Sequence, residues 1–315
     1  MRLISILVYD IFIGLYRLGI ALASPFNHKA RLWVEGRKQQ QITFNKPGPG
    51  KTFWFHCASL GEFEQARPVI EAVKKGGGNN CIILTFFSPS GYEIRKNYEF
   101  ADKVFYLPAD TKSNAINLIE AIKPDMVLFA KYEFWFHYLD ELHKRKIPTI
   151  LFSSVFRKEQ VFFNWYGGLF REMLQKFSLI FVQDEGSQKL LASVSILAKV
   201  AFDTRFDRVY ENAGKRKLFP LVEKFKGNAQ IFIAGSTWPK DEELIVRMIS
   251  ENVLPGFKYI IAPHNIDKAA IDSLKNACPK KTVFFSELNE SNAGDAEILI
   301  VDNIGNLSSL YAYGN

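Results

Sequence analysis

The sequence predicts an α/β protein built from two doubly wound parallel sheets, and three observations predict it. Between Lys51 and about Val209, short apolar runs alternate with amphipathic stretches, as strands and helices do when wound about a parallel sheet. A charged stretch without strand character follows, and a second alternation of the same kind begins at Gln230. With 315 residues, 48% hydrophobic and 23% charged, the chain has apolar material for two cores and does not have the composition of a disordered protein.

The first element is an apolar segment from Leu3 to Ala23, long enough to cross a bilayer and followed by Lys29, Arg31, Arg37 and Lys38. Asp10 and Arg17 interrupt it on one helix face. At roughly 2.5 to 3.5 kcal/mol each near mid-membrane, they offset most of what the apolar residues contribute to spanning. Spanning therefore competes with a helix lying in the interface, with Asp10 and Arg17 on the wet side and Tyr9, Phe12 and Tyr16 near headgroups. Either arrangement anchors the protein, and the cations that follow hold its bulk on the cytoplasmic side. The remaining alternative is a buried core helix. No small-residue cleavage site marks a removed signal peptide.

Strands are expected at Phe53 to Cys57, Cys81 to Phe86, Val104 to Leu107, Met126 to Ala130, Thr149 to Phe152 and Leu179 to Val182. The first breaks at Ser59-Leu60-Gly61, and Phe63, Ala66, Ile70 and Val73 then fall at helical spacing. The carboxyl end of a parallel strand faces the ligand crevice, and the helix start after it presents free N–H groups. Glu62 therefore sits where a carboxylate faces a ligand, although an acid in a first helical turn also simply complements the helix dipole. Ser88-Pro89 opens another helix and Lys123-Pro124 closes one. Glu133, in Lys131-Tyr132-Glu133-Phe134-Trp135, is again an acid just past a strand, so Glu62 and Glu133 are expected at one sheet edge. In Ala201-Phe-Asp-Thr-Arg-Phe-Asp-Arg208, Arg205 or Arg208 fits a bidentate phosphate contact as well as a surface ion pair.

Residues 211–227 read as a charged helical connector. Beyond it, strands Gln230 to Ala234, Tyr259 to Ala262 and Glu297 to Val301 each lead to a turn and a helix start: Gly235-Ser236-Thr237-Trp238, Pro263-His264-Asn265 and Asp302-Asn303-Ile304-Gly305-Asn306. Such turns suit a nucleotide phosphate without a Walker lysine. A lone histidine such as His264 is more often structural than functional. The second alternation fills only residues 228–315, below the usual domain of about 100 to 150 residues, which leads us to expect an incomplete second domain.

The formal charge of +7 favours anionic partners. No helix-turn-helix, zinc-finger or aromatic RNA-binding signature is present, so nucleic acid is disfavoured. Cys57, Cys81 and Cys278 lack metal-like or paired spacing and read as reduced residues of a cytosolic compartment; no metal and no cofactor are expected.

Six motifs taken together, Ser59-Leu-Gly-Glu62, Tyr132-Glu-Phe-Trp135, Asp203-Thr-Arg-Phe-Asp-Arg208, Ala234-Gly-Ser-Thr237, Ala262-Pro-His264 and Asp302-Asn-Ile-Gly-Asn-Leu307, resemble the 3-deoxy-D-manno-octulosonic acid (Kdo) transferases of lipopolysaccharide synthesis. The resemblance runs over nearly the whole chain. It implies the GT-B fold, two Rossmann-like domains facing a cleft: an N-terminal membrane helix (1–27), an acceptor-binding domain (28–210), the connector, and a donor-binding domain (228–315). It implies an inverting transfer of Kdo from CMP-Kdo to a lipid A precursor at the cytoplasmic face of the inner membrane. Glu62 would be the general base, with Glu133 and Arg205 assisting near the transition state. The donor would contact Gly235, Ser236, Thr237, Pro263, His264, Ile304, Gly305 and Asn306. The chain departs from the family in having Arg205 where lysine is common, Pro263-His264 where Pro-Arg is common, and Phe202 where glycine is usual. A glycine-rich, Asn-Pro-containing donor motif would be expected beyond Asn315.

An inverting transfer needs a base, stabilisation of the leaving cytidylate and no covalent intermediate. The lack of an Asp-x-Asp motif suggests that no cation takes part. Two alternatives are a catalytically silent, membrane-anchored nucleotide or lipid binding protein and a GT-B transferase for another nucleotide sugar.

Overall fold

The computed structural model describes residues 2–207 and 217–315, in two compact units, 1–207 and 208–315. Arg208 and residues 211–216 of the expected connector lie outside the described residues.

The first unit opens with two helices, α1 (Arg2–Ala23) and α2 (His28–Gln39). α2 is a helix the sequence reading left unassigned; Asn27 caps it by accepting from the Ala30 N–H at 3.0 Å. Seven parallel strands follow: β1 (Thr52–Cys57), β2 (Cys81–Phe86), β3 (Lys103–Tyr106), β4 (Met126–Ala130), β5 (Thr149–Ser154), β6 (Leu179–Val182) and β7 (Lys199–Val200). Between them lie α3 (Leu60–Lys75), α4 (Pro89–Arg95), α5 (Lys112–Ile122), α6 (Phe136–Lys144), α7 (Gly168–Gln175) and α8 (Glu185–Ala192). The sheet order is β3-β2-β1-β4-β5-β6-β7, so the order reverses between β1 and β4, where open α/β sheets form their ligand crevice.

Alternate side chains of each strand point to opposite faces, which sets up three layers. Phe55, Cys57, Ile82 and Leu84 pack with Phe63, Ala66 and Ile70 of α3 on one face. Trp54, Ile83, Val127 and Phe129 pack with Leu118, Leu139 and Met173 on the other. The expected six strands are all present, and β7 is too short to register as a periodic run.

α1 lies against this unit. Arg2 forks onto Glu172 at 2.9 and 2.8 Å, the Tyr9 hydroxyl donates to Asp110 at 2.5 Å, and Asp10 meets His137 at 2.6 Å. Ile6 and Tyr9 pack on the core, Ile13 is buried, and the Tyr16 ring lies 6.3 Å from Trp33 and 5.9 Å from Phe87. These positions form one helical face. The opposite face, with Leu3, Leu7, Ile11, Leu15 and Leu22, is exposed. Most of α1 is exposed among the described residues, unlike a buried core helix. The helix is long and apolar enough to cross a membrane by length and composition.

The second unit holds α9 (Pro220–Lys226), β8 (Gln230–Thr237), α10 (Pro239–Ser250), β9 (Phe257–Pro263), α11 (Lys268–Ala277), β10 (Thr282–Phe284), β11 (Ile298–Ile300) and α12 (Leu307–Leu310). Its parallel sheet has the order β10-β11-β9-β8. Val222 and Phe225 of α9 are fully buried and pack with Ile231, Ile260 and Leu299. On the other sheet face Tyr259, Ile261 and Ile298 pack with Ile245, Ile249 and Ile271.

Two local expectations need correction. β8 runs through Thr237 where a turn was expected, because a bulge between Gly235 and Thr237 keeps it paired to β9, with Ser236 at φ +57°. The helix expected from Leu307 onward is the four-residue α12, followed by a 3-10 turn over Tyr311–Tyr313.

Candidate active site

The carboxyl ends of β1 and β4 carry the two acids that sequence reasoning singled out. After β1, Ser59 caps α3: its hydroxyl accepts from the Gly61 N–H at 3.2 Å and donates to the Glu62 carboxylate. Ser59-Leu-Gly-Glu62 thus has the spacing of a capping box, which holds the half-buried Glu62 at the first turn of α3. The structural and the chemical reading of Glu62 therefore fall on the same carboxylate.

Glu133 behaves differently. It is only 2% exposed, with its Oε2 2.9 Å from His56 Nε2 and accepting from Trp135 Nε1 at 2.7 Å. The other His56 ring nitrogen, Nδ1, lies 2.9 Å from Thr85 Oγ1 and 3.1 Å from the Thr85 carbonyl. A buried carboxylate is tolerable only when paired and hydrogen-bonded. Glu133 is therefore a buried group rather than one open to solvent, held against His56 of β1. His56 was missed because it sits inside the apolar run Phe53 to Cys57. The available signal was that a buried polar side chain in a strand must have a partner.

Glu62 and Glu133 nevertheless belong to one neighbourhood. Burial pushes the Cys57 thiol well above its ordinary range, and the Glu133 and then the Glu62 carboxylates push it in the same direction. The backbone around this edge is strained, with Lys131 at φ +71°, Ser153 at +56° and Phe202 at +54°. All three lie at carboxyl ends of strands, where such outliers accompany functional sites. Phe202 is the position where the family resemblance implied glycine, and it takes the left-handed conformation that glycine adopts without penalty.

Arg205 does not present a free fork. Its Nε and Nη2 grip Asp203 at 2.9 and 2.6 Å. Asp203 also accepts, at 3.4 Å, from Gln65 of α3, and Thr204 donates to the Gln65 carbonyl at 2.6 Å. Burial alone would raise Asp203, and the hydrogen bonds from Arg205 outweigh it, so the carboxyl lies below its usual range. The 203–205 segment is thereby tied to the helix that Glu62 opens, but Arg205 is engaged by Asp203 rather than by either glutamate.

In the second unit, the three expected donor segments share one sheet edge, since Thr237 ends β8, Pro263 ends β9 and the 302–306 turn follows β11. The His264 N–H donates to the Thr237 carbonyl at 2.8 Å, and the exposed His264 ring stacks on Trp238 at 4.4 Å. Gly305 takes φ +97°, Asn306 donates to Asn303 at 2.8 Å, and Ile304 is exposed. Thr237 is buried and donates to Glu242 at 3.1 Å. Gly235 is set apart from this group, because a Cβ there would lie 2.0 Å from the Tyr311 hydroxyl. Gly235 thus makes room for the end of the half-exposed Tyr311 side chain. Gly235→Ala is expected to cost about 1–3 kcal/mol, read as a lower Tm, and Tyr311→Phe should restore part of it. An unchanged Tm for Gly235→Ala would contradict this packing role. Among the described residues, no three His, Cys, Asp or Glu side chains are arranged to hold a metal ion.

Comparison with known proteins agrees with this layout. A family model described as 3-deoxy-D-manno-octulosonic-acid transferase (kdotransferase) matches residues 29–208. The chain is 26% identical over 269 residues to the 3-deoxy-D-manno-octulosonic acid transferase of Aquifex aeolicus, covering 83% of this chain and 67% of that protein. It is 24% identical over 277 residues to that of Haemophilus influenzae, covering 84% and 63%. It is also 24% identical over 318 residues to a bifunctional glycosyltransferase/methyltransferase of Fusobacterium nucleatum, covering 95% and 48%. The chain thus spans about half to two thirds of the length of these curated relatives. Among solved structures, UDP-GlcNAc 2-epimerase from Neisseria meningitidis aligns with a TM-score of 0.55 at 16% identity, covering 84% of this chain and 75% of that one. MurG of Acinetobacter baumannii aligns at 0.51 and 8% identity, covering 84% and 70%. These neighbours bear out the GT-B fold class expected from the sequence.

Proposed function

We propose, since the chain belongs to the 3-deoxy-D-manno-octulosonic-acid (Kdo) transferase family, that it transfers Kdo from CMP-Kdo to a hydroxyl of a lipid A precursor, with inversion and without a metal ion. The observation that carries this reading is the pair of acids at the reversal of strand order: Glu62 after β1 and Glu133 after β4. In the proposed step, Glu62 takes the proton of the acceptor hydroxyl as its oxygen bonds to the anomeric carbon of Kdo. The bond from that carbon to the cytidylate oxygen breaks, and CMP leaves with the electron pair.

Glu133, held by His56 and Trp135, is the proposed second acid of the site. Arg205 supports the site through Asp203 and Gln65. Pro263, His264, Ser236, Thr237 and the turn Ile304-Gly305-Asn306 are the proposed donor contacts, where His264 stacked on Trp238 offers a ring face. The second unit is the proposed donor-binding half and the first the acceptor-binding half. α1, with its exposed apolar face, is the proposed attachment to the cytoplasmic side of the inner membrane.

The filled space at Gly235 and the occupied fork of Arg205 favour one competing reading, a silent protein that binds nucleotide without transferring. The experiment separating the two follows CMP release and acceptor glycosylation together.

A further inference from the structure

Beside α1 runs an apolar groove of about 550 Å³. Its walls include Ile4, Val8 and Phe12 of α1, Phe170 of α7, and Trp135 of the turn after β4. We infer that this groove binds an acyl chain of the acceptor, delivered from a leaflet in whose plane α1 lies. The inference rests on the lipid acceptor proposed above and assigns the place where its apolar part is held.

The first support is the geometry of α1. Its docked face runs from Arg2 to Tyr16, about 21 Å of helix at 1.5 Å per residue. The remaining turns are too short to cross a hydrocarbon core of about 30 Å. A helix fixed flat along its domain therefore enters the membrane sideways, by its exposed Leu3, Leu7, Ile11 and Leu15.

The second support lies beside the groove. Trp165 is 91% exposed, and its ring contacts Tyr166, which itself lines the groove. Exposed tryptophan and tyrosine next to an apolar helix face are the side chains that settle at a bilayer interface. The third support is charge, because Arg17, Lys29, Arg31 and Lys38 are all exposed on or just after this helix and complement anionic headgroups.

The groove also leads to the site. Trp135, which lines it, donates to the buried carboxylate of Glu133 and stacks on Phe87 at 4.9 Å. An acyl chain against Trp135 would lie on the indole that donates to Glu133 at the carboxyl end of β4. Occupancy of the groove and the position of the acidic pair are thus coupled through one indole.

The test pairs labelling with turnover. Vesicles of phosphatidylethanolamine and phosphatidylglycerol carrying a lipid with a diazirine in its acyl chain are photolysed with the protein, and the labelled residues are mapped. Labelling concentrated on Val8, Phe12 and Phe170, and about tenfold weaker in Val8→Trp, which fills the groove, is the expected result, tenfold matching lost burial of about two methylenes. Val8 is exposed in the fold, so the variant is expected to keep its circular dichroism spectrum. Equal labelling in parent and variant, labelling confined to Leu3, Leu7 and Leu15, or crosslinks to a second copy of the chain would overturn the site.

In the same proteins, Val8→Trp should lower kcat/KM about tenfold for an acylated glucosamine acceptor and leave a de-acylated one unaffected. Equal losses on both acceptors would overturn the groove. Groove labelling with no transfer to either acceptor keeps the lipid site and removes the transferase reading. Transfer without groove labelling does the reverse.

Discussion

Glu62→Gln is expected to lower turnover by about 10² to 10⁴-fold, the usual contribution of a general base, with little change in Tm. Glutamine keeps an acceptor for the Ser59 hydroxyl at the start of α3, so the fold should change by no more than about 1 kcal/mol. The contrast matters because Glu62 also holds the Ser59 side chain that caps α3. If Glu62→Gln lost activity and stability together, the capping role alone would explain the loss. If turnover stayed within a few-fold of the parent, the assignment of the base would be wrong.

The second large effect is expected at the buried pair. His56→Ala leaves the buried Glu133 carboxylate with Trp135 Nε1 as its remaining side-chain donor among the described residues. Leaving one partner of a buried polar contact unpaired costs about 1–3 kcal/mol, and thermal unfolding followed by circular dichroism should show it. Adding Glu133→Gln removes the stranded charge, so the double variant should be more stable than the sum of the two single losses implies. Strict additivity would mean that His56 and Glu133 do not act as a unit.

Much of the architecture was legible because parallel strands buried on both faces read as apolar runs. The runs from Phe53 to Cys57 and from Met126 to Ala130 correspond to β1 and β4 within a residue or so. The acids that follow them were legible because a strand end and a helix start are both marked locally, the latter by Ser59-Leu-Gly-Glu62. What stayed hidden was decided by residues distant in the chain. Nothing near Gly235 in sequence announces that Tyr311 fills the space above it, and nothing near Glu133 announces His56 beneath it.

Arg205 shows the same limit in another form, because spacing identifies a cation but not whether a neighbouring acid already holds it. Strand β7 was missed because two residues cannot display a period, and β10, directly after Lys280 and Lys281, was missed as well. For α1, composition left three arrangements open. The contacts of Arg2, Tyr9 and Asp10 with Glu172, Asp110 and His137, which no periodicity encodes, are what tie one face of it to the first unit.

The central claim is that this chain moves Kdo from a cytidylate donor by base catalysis at Glu62. It is tested most directly by incubating the protein with CMP-Kdo and an acylated glucosamine acceptor on phospholipid vesicles, and measuring released CMP against glycosylated acceptor. The account predicts one CMP for each Kdo transferred, inverted configuration in the product, and both signals lost together in Glu62→Gln. CMP binding without transfer, or transfer from a uridine diphosphate sugar in preference to CMP-Kdo, would contradict it.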